Sequence, residues 1–188
     1  MVDIGCGDLC WLDQDILNGR RYVGLDISTI AIGRARAAYP SLQFAVRDVT
    51  KQAVDVESDL IVSFDVLIHQ TEILTFRAAL GNILGAISKI GLVSYITPPM
   101  RDGRLPPPAT LDPTVADADE IELEARFQQM MSSGLGFPRA PTAYHGPLPA
   151  AIAALRPDLK VSTAGRYRYQ TVYAICTRRD RQPRRADR

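Results

Sequence analysis

The stretch VDIGCGD, residues 2–8, sets the interpretation of the whole chain. Its apolar residues predict a short buried strand, and Gly5 and Gly7 follow that strand with one residue between them. A strand that runs into such a turn brings backbone N–H groups close to a ligand, because glycine has no Cβ to intrude. A dinucleotide fingerprint would place a third glycine at position 10, which is Cys10. The turn alone is therefore a weak signal.

The rest of the chain alternates between apolar runs and amphipathic segments. The apolar runs predict strands at 1–5, 22–27, 42–46, 59–68 and 92–97, with two closing strands at 159–164 and 170–177. Continuous apolar strands that alternate with amphipathic helices are typical of a parallel sheet covered on both faces. The sequence therefore predicts an α/β, doubly wound fold.

Two helices connect the predicted strands. The first covers 28–40, with Ser28 as its N-cap and Pro40 at its end, and the second covers 71–91, from the cap Thr71 to Gly91. On the first, helical spacing joins Ile30, Ala31 and Arg34. On the second, one apolar face is predicted to hold Ile73, Phe76, Leu80, Ile83, Leu84 and Ile87. A shorter helix is predicted within 146–157.

Two segments differ in composition from this pattern. Residues 98–149 hold ten of the chain's 13 prolines, and 116–134 within them predicts a helix. Its stripe of Leu123, Phe127, Met130 and Met131 favours core contact with the sheet over a ligand-lining face. Residues 178–188 carry six arginines and two aspartates without apolar periodicity, which favours a disordered basic tail over a nucleic-acid contact.

Bulk properties exclude several classes of protein. The net charge of +1 over 188 residues gives no field for nucleic acid or membrane. The three cysteines form no C-x-x-C pair, so neither a disulfide framework nor a zinc site is predicted. No apolar run reaches the roughly 18 residues of a membrane helix, and no signal-peptide pattern begins the chain. We expect a cytoplasmic protein.

Four acids lie at or near the ends of four successive predicted strands: Asp3, Asp26, Asp48 and Asp65. In an open parallel sheet these ends form the ligand crevice. An acid at the tip of the second strand can accept hydrogen bonds from both ribose hydroxyls, and one after the third can accept from an adenine amino group. Any one of them alone is equally well read as a helix cap or a solvated loop residue. Four in register indicate a nucleotide-containing cofactor.

The runs VDIGCGD, YVGLDIS, FAVRDV and DLIVSFDVLIHQ, in this order, resemble the class I S-adenosylmethionine-dependent methyltransferases. The resemblance covers residues 2 to about 97 and extends to the rest only by topology. It implies a Rossmann-like, mostly parallel seven-stranded sheet with an antiparallel last strand, formed by one domain over 1–177 with a substrate lid in 98–149. Family members usually carry a helix before the first strand, so we also expect a preceding segment to be missing.

The resemblance also implies a site for S-adenosylmethionine. The implied cofactor-binding residues are Asp3, Gly5, Cys6, Gly7, Asp26, Ile27, Asp48, Val49, Asp65 and Val66. Those at the glycine turn would line the methionine moiety, and those after the second strand would meet the ribose and adenine. Those after the third strand would meet the adenine amino edge, and those after the fourth would lie beside the reacting methyl group. One departure stands out, because Leu9 occupies the place of the family's third glycine.

Methyl transfer needs little catalytic machinery. It is an in-line displacement that requires a placed nucleophile and the exclusion of water, without metal or covalent intermediate. His69 and His145 are weak candidates for a general base, and for each a structural role is favoured.

The leading hypothesis is methyl transfer to a small-molecule acceptor. Nucleic acid is disfavoured, since DVLI (65–68) stands where adenine- and cytosine-N4-methylating relatives carry an Asn/Asp-Pro-Pro-aromatic motif. A non-catalytic cofactor-binding module that acts through a partner is favoured by Leu9 and by the missing N-terminal cover. A nicotinamide-dependent oxidoreductase is disfavoured by Cys10 and by the lack of a Tyr-x-x-x-Lys pair.

Overall fold

The computed structural model describes residues 1–9, 17, 19–96, 109–110, 143–167 and 170–177. Its strands are β1 (Val2–Ile4), β2 (Val23–Asp26), β3 (Gln43–Val46), β4 (Leu60–Ser63), β5 (Ile90–Ile96), β6 (Ala109–Thr110), β7 (Ala143–Tyr144), β8 (Leu159–Tyr167) and β9 (Gln170–Thr177). Its helices are α1 (Thr29–Ala38), α2 (Ile73–Ala86) and α3 (Leu148–Leu155), and a 3₁₀ turn covers Leu67–His69. The helix predicted in 116–134 and the basic tail lie outside the described residues.

Seven strands form one sheet in the order β3-β2-β1-β4-β5-β9-β8. The first five are mutually parallel, whereas β9 pairs antiparallel with both β5 and β8. The predicted seven-stranded sheet with an antiparallel last strand is therefore confirmed. Because Ile4 lies opposite Leu25 and Asp26 lies opposite Val46, the carboxyl ends of β1, β2 and β3 reach the same edge. The short strands β6 and β7 form a separate ribbon.

Both faces of the sheet are covered by apolar side chains. One cluster packs α2 and α3 against the sheet, including the fully buried Phe76, Leu80 and Ile152. The other packs α1 against β3 and the glycine turn after β1, with Ile32, Phe44 and Leu9 among its members. At about 25 cal/mol per Å² of buried apolar surface, these two layers supply the main stabilisation of the fold.

The second helix is shorter than the sequence predicted. Glu72, not Thr71, is its N-cap, and its side chain makes no capping hydrogen bond. The helix ends at Ala86, and Gly91 lies inside β5 rather than at the helix end. A Cβ on Gly91 would overlap the side chain of Ile87, so the glycine allows close packing and is not a cap.

The structure corrects two further expectations and shows which face of α1 is buried. The predicted strand 59–68 ends at Ser63, because Asp65 adopts φ 58° and the chain turns there. On α1 the buried residues are Ile32 and Ala35, whereas Ile30 is 69% exposed. Ile73 is also half-exposed, although the rest of the predicted α2 face is buried as expected. Ser28 is confirmed as the cap of α1, because its hydroxyl accepts a hydrogen bond from the Ala31 N–H at 3.1 Å.

Candidate functional site

A cavity of about 420 Å³ opens where the carboxyl ends of β1, β2, β3 and β4 meet. It is lined by Ile4, Gly5, Asp26, Ile27, Arg47, Asp48, Val49, Thr50, Phe64, Asp65, Val66, His69, Gln70 and Thr75. This is the edge at which open parallel sheets bind ligands. The segments after four different strands each contribute, so the topology assembles the site.

Seven of the ten residues named from the resemblance line this cavity. They are Gly5, Asp26, Ile27, Asp48, Val49, Asp65 and Val66. Asp3, Cys6 and Gly7 lie outside the lining. The structure thus gathers the residues after the second, third and fourth strands, and it separates them from part of the glycine turn.

The two glycines of the turn have different surroundings. Gly5 has φ +81°, and a Cβ there would overlap Cγ2 of Val66, which lines the cavity. Gly7 has φ +58°, and a Cβ there would meet nothing within 4 Å. Both need the left-handed conformation that glycine adopts without strain. Only Gly5 is also required by packing.

Leu9 explains how the turn tolerates the lack of a third glycine. Its φ is 60°, so the backbone keeps the left-handed conformation that a glycine at this position would adopt without strain. That conformation costs about 1–2 kcal/mol for a residue with a Cβ. The Leu9 side chain is only 1% exposed and packs with Ile32, and burying a leucine stabilises by about 1.5–3 kcal/mol. Burial offsets the strain.

Asp26 is held rigidly at the end of β2. Its Oδ2 accepts a hydrogen bond from the Gly7 N–H at 2.8 Å, and its Oδ1 accepts one from the Ser28 N–H at 2.7 Å. Each carboxylate oxygen has a second lone pair, so both can still accept from a pair of neighbouring hydroxyls. The adjoining Ile27 is 65% exposed and lines the cavity, which provides an apolar surface for a flat ring.

Asp48 is engaged mainly by its own turn. Its Oδ1 accepts from the Thr50 hydroxyl at 2.6 Å and from the Thr50 N–H at 3.0 Å, and its Oδ2 pairs with Lys51 Nζ at 2.9 Å. The hydrogen bond from the Thr50 hydroxyl, followed by that from Lys51, holds the pKa of Asp48 below its usual range. The carboxylate therefore stays ionised at the cavity wall, and the neighbouring Val49 supplies buried apolar surface.

Asp3 and Cys6 lie beneath the turn. Asp3 is only 2% exposed, and its Oδ2 accepts a hydrogen bond from the Tyr22 hydroxyl at 3.0 Å. Burial raises the pKa of Asp3 to about 7, and the nearby charge of Asp26 adds to the rise. Burial likewise raises the pKa of the fully buried Cys6 thiol, which keeps it protonated. The geometry gives both residues a supporting position under the turn.

The two histidines have different places. His69 lines the cavity and is exposed. His145 lies outside the lining, where its Nε2–H donates to the Gln70 carbonyl at 2.6 Å. The His145 backbone N–H donates to the Tyr95 hydroxyl at 2.7 Å, and its ring packs 4.9 Å from that of Phe76. His145 therefore ties the chain after β7 to the cavity wall.

Several lining residues were missed from the sequence. Arg47 and Phe64 stand directly before predicted acids and Thr50 directly after the predicted Val49, so extending each predicted pair by one residue would have found them. Gln70 and Thr75 come from the turn and the helix after β4, where no pattern singles them out.

Two absences apply to the described part of the chain. It contains no group of three or more His, Cys, Asp or Glu side chains arranged to hold a metal ion. No helix among those residues is both long and apolar enough to cross a membrane.

Comparison with known proteins shows what this chain is similar to. Residues 2–90, which contain β1 to β4, α1 and α2, match the model of a methyltransferase domain. This match spans 89 of the chain's 188 residues. No curated protein matches the sequence significantly.

Solved structures share the fold of the methyltransferase domain at low sequence identity. An S-adenosylmethionine-bound amino pentose methyltransferase of calicheamicin biosynthesis from Micromonospora echinaspora has 14% identity and a TM-score of 0.63, covering 94% of this chain and 82% of that one. Magnesium protoporphyrin IX methyltransferase from Synechocystis, with S-adenosylhomocysteine bound, has 18% identity and a TM-score of 0.57, covering 94% and 73%. The N-methyltransferase NodS from Bradyrhizobium japonicum has 15% identity and a TM-score of 0.55, covering 95% and 77%.

Proposed function

We propose that the protein transfers the methyl group of S-adenosylmethionine to a small-molecule acceptor, with the cofactor in the cavity at the carboxyl ends of β1 to β4. The observation that carries this proposal is the fixed carboxylate of Asp26 beside the exposed Ile27 in the cavity lining. A carboxylate that can accept hydrogen bonds from two neighbouring hydroxyls matches a ribose. An apolar side chain beside it, against which a flat ring can lie, matches the attached adenine. The cavity extends from there to the end of β4.

The residues of the cavity have separate tasks in this proposal. Asp26 accepts hydrogen bonds from the ribose hydroxyls, and Ile27 and Val49 enclose the adenine. Phe64 and Val66 form the wall at the opposite end, where they exclude water from the reacting atoms. When bound, S-adenosylmethionine supplies a sulfonium-activated methyl group that a nucleophile takes by in-line displacement.

His69 is the residue that we propose for proton acceptance from the nucleophile. It is exposed and lines the cavity after β4, so it can reach a bound acceptor. His145 is assigned a structural task instead, because its Nε2–H is already donated to a backbone carbonyl. A general base of this kind typically contributes 10²–10⁴-fold to the rate.

A small molecule is the favoured acceptor class. The similar methyltransferases are named for an amino pentose and for magnesium protoporphyrin IX. The sequence after β4, Asp65 to Ile68, lacks the paired prolines that the nucleic-acid-methylating relatives carry there.

We also propose that residues 1–177 form one domain and that 98–149 are the segment that covers the acceptor. Two contacts support this: β6 pairs with β7, and His145 is bonded to Gln70 of the cavity wall. A cytoplasmic location also belongs to the proposal. Its support is that Cys6 and Cys176 are both free thiols, as is usual in reducing compartments.

Calorimetric titration with S-adenosylmethionine, S-adenosylhomocysteine and NAD tests this function. We expect micromolar binding of the first two and none of NAD. Asp26→Ala should weaken S-adenosylhomocysteine binding by about 1–3 kcal/mol through the loss of charge-assisted hydrogen bonds. Asp55→Ala is the matched control, since Asp55 is exposed and lies outside the cavity lining.

The outcomes separate the hypotheses. Equal binding by Asp26→Ala and the wild type would show that the ribose site is wrongly assigned. Binding of NAD in place of the other two would identify an oxidoreductase. Binding of S-adenosylmethionine without turnover over a panel of amine, hydroxyl and thiol acceptors would favour the non-catalytic module.

A further inference from the structure

Three side chains form a closed ring of hydrogen bonds behind the cavity wall. The Asp65 backbone N–H donates to Ser94 Oγ at 3.0 Å, and the Ser94 hydroxyl donates to Gln170 Oε1 at 2.8 Å. The Gln170 side-chain amide then donates back to Asp65 Oδ1. Every donor points the same way around the ring, an arrangement in which each hydrogen bond polarises the next.

The ring lies in the interior of the sheet. Ser94 on β5 and Gln170 at the start of β9 are both 0% exposed. A buried side-chain amide or hydroxyl costs about 1–3 kcal/mol when it lacks a partner. Here the three residues satisfy one another across the turn after β4, β5 and β9, so the ring is a built feature of the fold.

The ring acts on a strained position of the backbone. Asp65 has φ 58°, a left-handed conformation that costs about 1–2 kcal/mol for most residues with a Cβ. Such a conformation persists only where the surroundings over-determine it. Two hydrogen bonds of the ring hold Asp65, one at its N–H and one at its carboxylate.

The conformation of Asp65 sets the direction of the cavity wall. Phe64 and Val66 flank it and both line the cavity, and the 3₁₀ turn Leu67–His69 begins directly after them. Because β4 ends at Ser63, nothing from the sheet pairing itself fixes these residues. Their placement depends on how Asp65 is held, together with the ring contact of Phe64 with Tyr167 and the hydrogen bond of Gln70 to the Val66 carbonyl.

We propose that Gln170 and Ser94 are positioning residues of the cofactor site, which act by holding Asp65 in its left-handed conformation and thereby fixing Phe64 and Val66. The identity of the ligand rests on the proposed function. The ring makes β9 part of the site, although no residue of β9 lines the cavity.

A double-mutant cycle on S-adenosylhomocysteine affinity tests this inference. Gln170→Leu removes the amide, Asp65→Ala removes its acceptor, and the third variant combines both changes. We expect each single variant to bind about tenfold more weakly than the wild type, and the double variant to bind no more weakly than Asp65→Ala. A purely structural role for Gln170 predicts instead that its effect is the same in both backgrounds, and that result would overturn the inference.

Two serines on neighbouring strands provide a matched pair. Ser94→Ala breaks the ring and should lower the affinity as Gln170→Leu does. Ser63→Ala removes an equally buried hydroxyl that has no hydrogen-bond partner among the described residues, and it should leave the affinity unchanged. Equal losses in the two alanine variants would contradict the proposal.

Hydrogen exchange followed by mass spectrometry tests the ring without any ligand. Peptides over residues 64–70 should exchange several-fold faster in Gln170→Leu and Ser94→Ala than in the wild type, while peptides over 80–86 of α2 report global stability. Unchanged exchange over 64–70 would show that the ring does not hold the wall. If the wild type does not bind S-adenosylhomocysteine, the proposed function is wrong, and with it the role in the cofactor site. The exchange rates still decide whether the ring fixes the wall.

Discussion

Replacing the two glycines of the first turn by alanine should have unequal effects, although both sit in the same motif. Both have positive φ, +81° at Gly5 and +58° at Gly7. A Cβ at Gly7 would meet nothing within 4 Å, whereas a Cβ at Gly5 would overlap Val66 Cγ2 at well under 3.0 Å. Alanine at Gly7 therefore suffers from backbone strain alone, and alanine at Gly5 suffers from strain and overlap together.

The structure sets the size of each effect. The left-handed conformation costs about 1–2 kcal/mol for a residue with a Cβ, which is the whole loss expected for Gly7→Ala. Overpacking a well-packed site adds about 1–3 kcal/mol, and Val66 is poorly able to yield because β-branched side chains are stiff about χ1. Gly5→Ala should then lower the free energy of unfolding by about 2–5 kcal/mol.

Urea unfolding followed by far-UV circular dichroism measures this difference. The combined variant with Gly5→Ala and Val66→Ala isolates the overlap, because it should recover part of the loss relative to the sum of its single changes. Gly5→Ala should also weaken S-adenosylhomocysteine binding, since Val66 lines the cavity and is displaced. Equal losses of stability for the two glycine variants would refute the assignment of Val66 as the obstacle.

Two further predictions concern residues under the turn. Leu9→Ala should lower the free energy of unfolding by about 2–5 kcal/mol, and Leu9→Gly should be the more stable of the two because glycine is relieved of the strain at φ 60°. Urea unfolding measures both variants, and a Leu9→Ala variant more stable than Leu9→Gly would contradict this. The pKa of Asp3 is raised from 3.8 to about 7, so its contribution to stability is full below pH 3.8 and is lost as the pH rises through about 7. Asp3→Asn keeps an acceptor for Tyr22 and should remove this fall of about 1.4 kcal/mol per pH unit, which makes it the more stable protein above pH 7. The free energy of unfolding is measured for both proteins from pH 4 to 8, and an equal change with pH in the two would contradict this prediction.

Seven strands, β1 to β5, β8 and β9, were predictable in their order along the chain because each is a local apolar run. Local signals also located the cap of α1, where Ser28 bonds to Ala31 as expected. They placed the end of α2 wrongly. In sequence, a glycine that ends a helix cannot be distinguished from a glycine that allows a neighbouring side chain to pack closely. Gly91 is of the second kind, and only the position of Ile87 in space distinguishes them.

The buried side of α1 shows the same limit. Ile30 and Ile32 are both large and apolar, and they lie two residues apart, so a ten-residue helix cannot bury both against one sheet. The spacing in the sequence joined Ile30 to Ala31 and Arg34 without assigning a buried face, whereas the packing with Phe44 buries Ile32. The exposed Ile30 lies one turn after Ile27, at the same edge of the sheet as the cavity.

The acids of the cavity were found from sequence because each follows its own strand, but the residues that hold them were not. The hydrogen bonds around Asp65 span separations of 29, 76 and 105 residues, so no local pattern contains them. They exist because β9 inserts antiparallel between β5 and β8, which brings the start of β9 level with the end of β4. A sheet that lacked this insertion would leave the Ser94 hydroxyl without its acceptor on Gln170 and the Asp65 carboxylate without the Gln170 amide. The antiparallel strand therefore does more than close the sheet, because it fixes the shape of the cavity at the end where the proposed methyl transfer takes place.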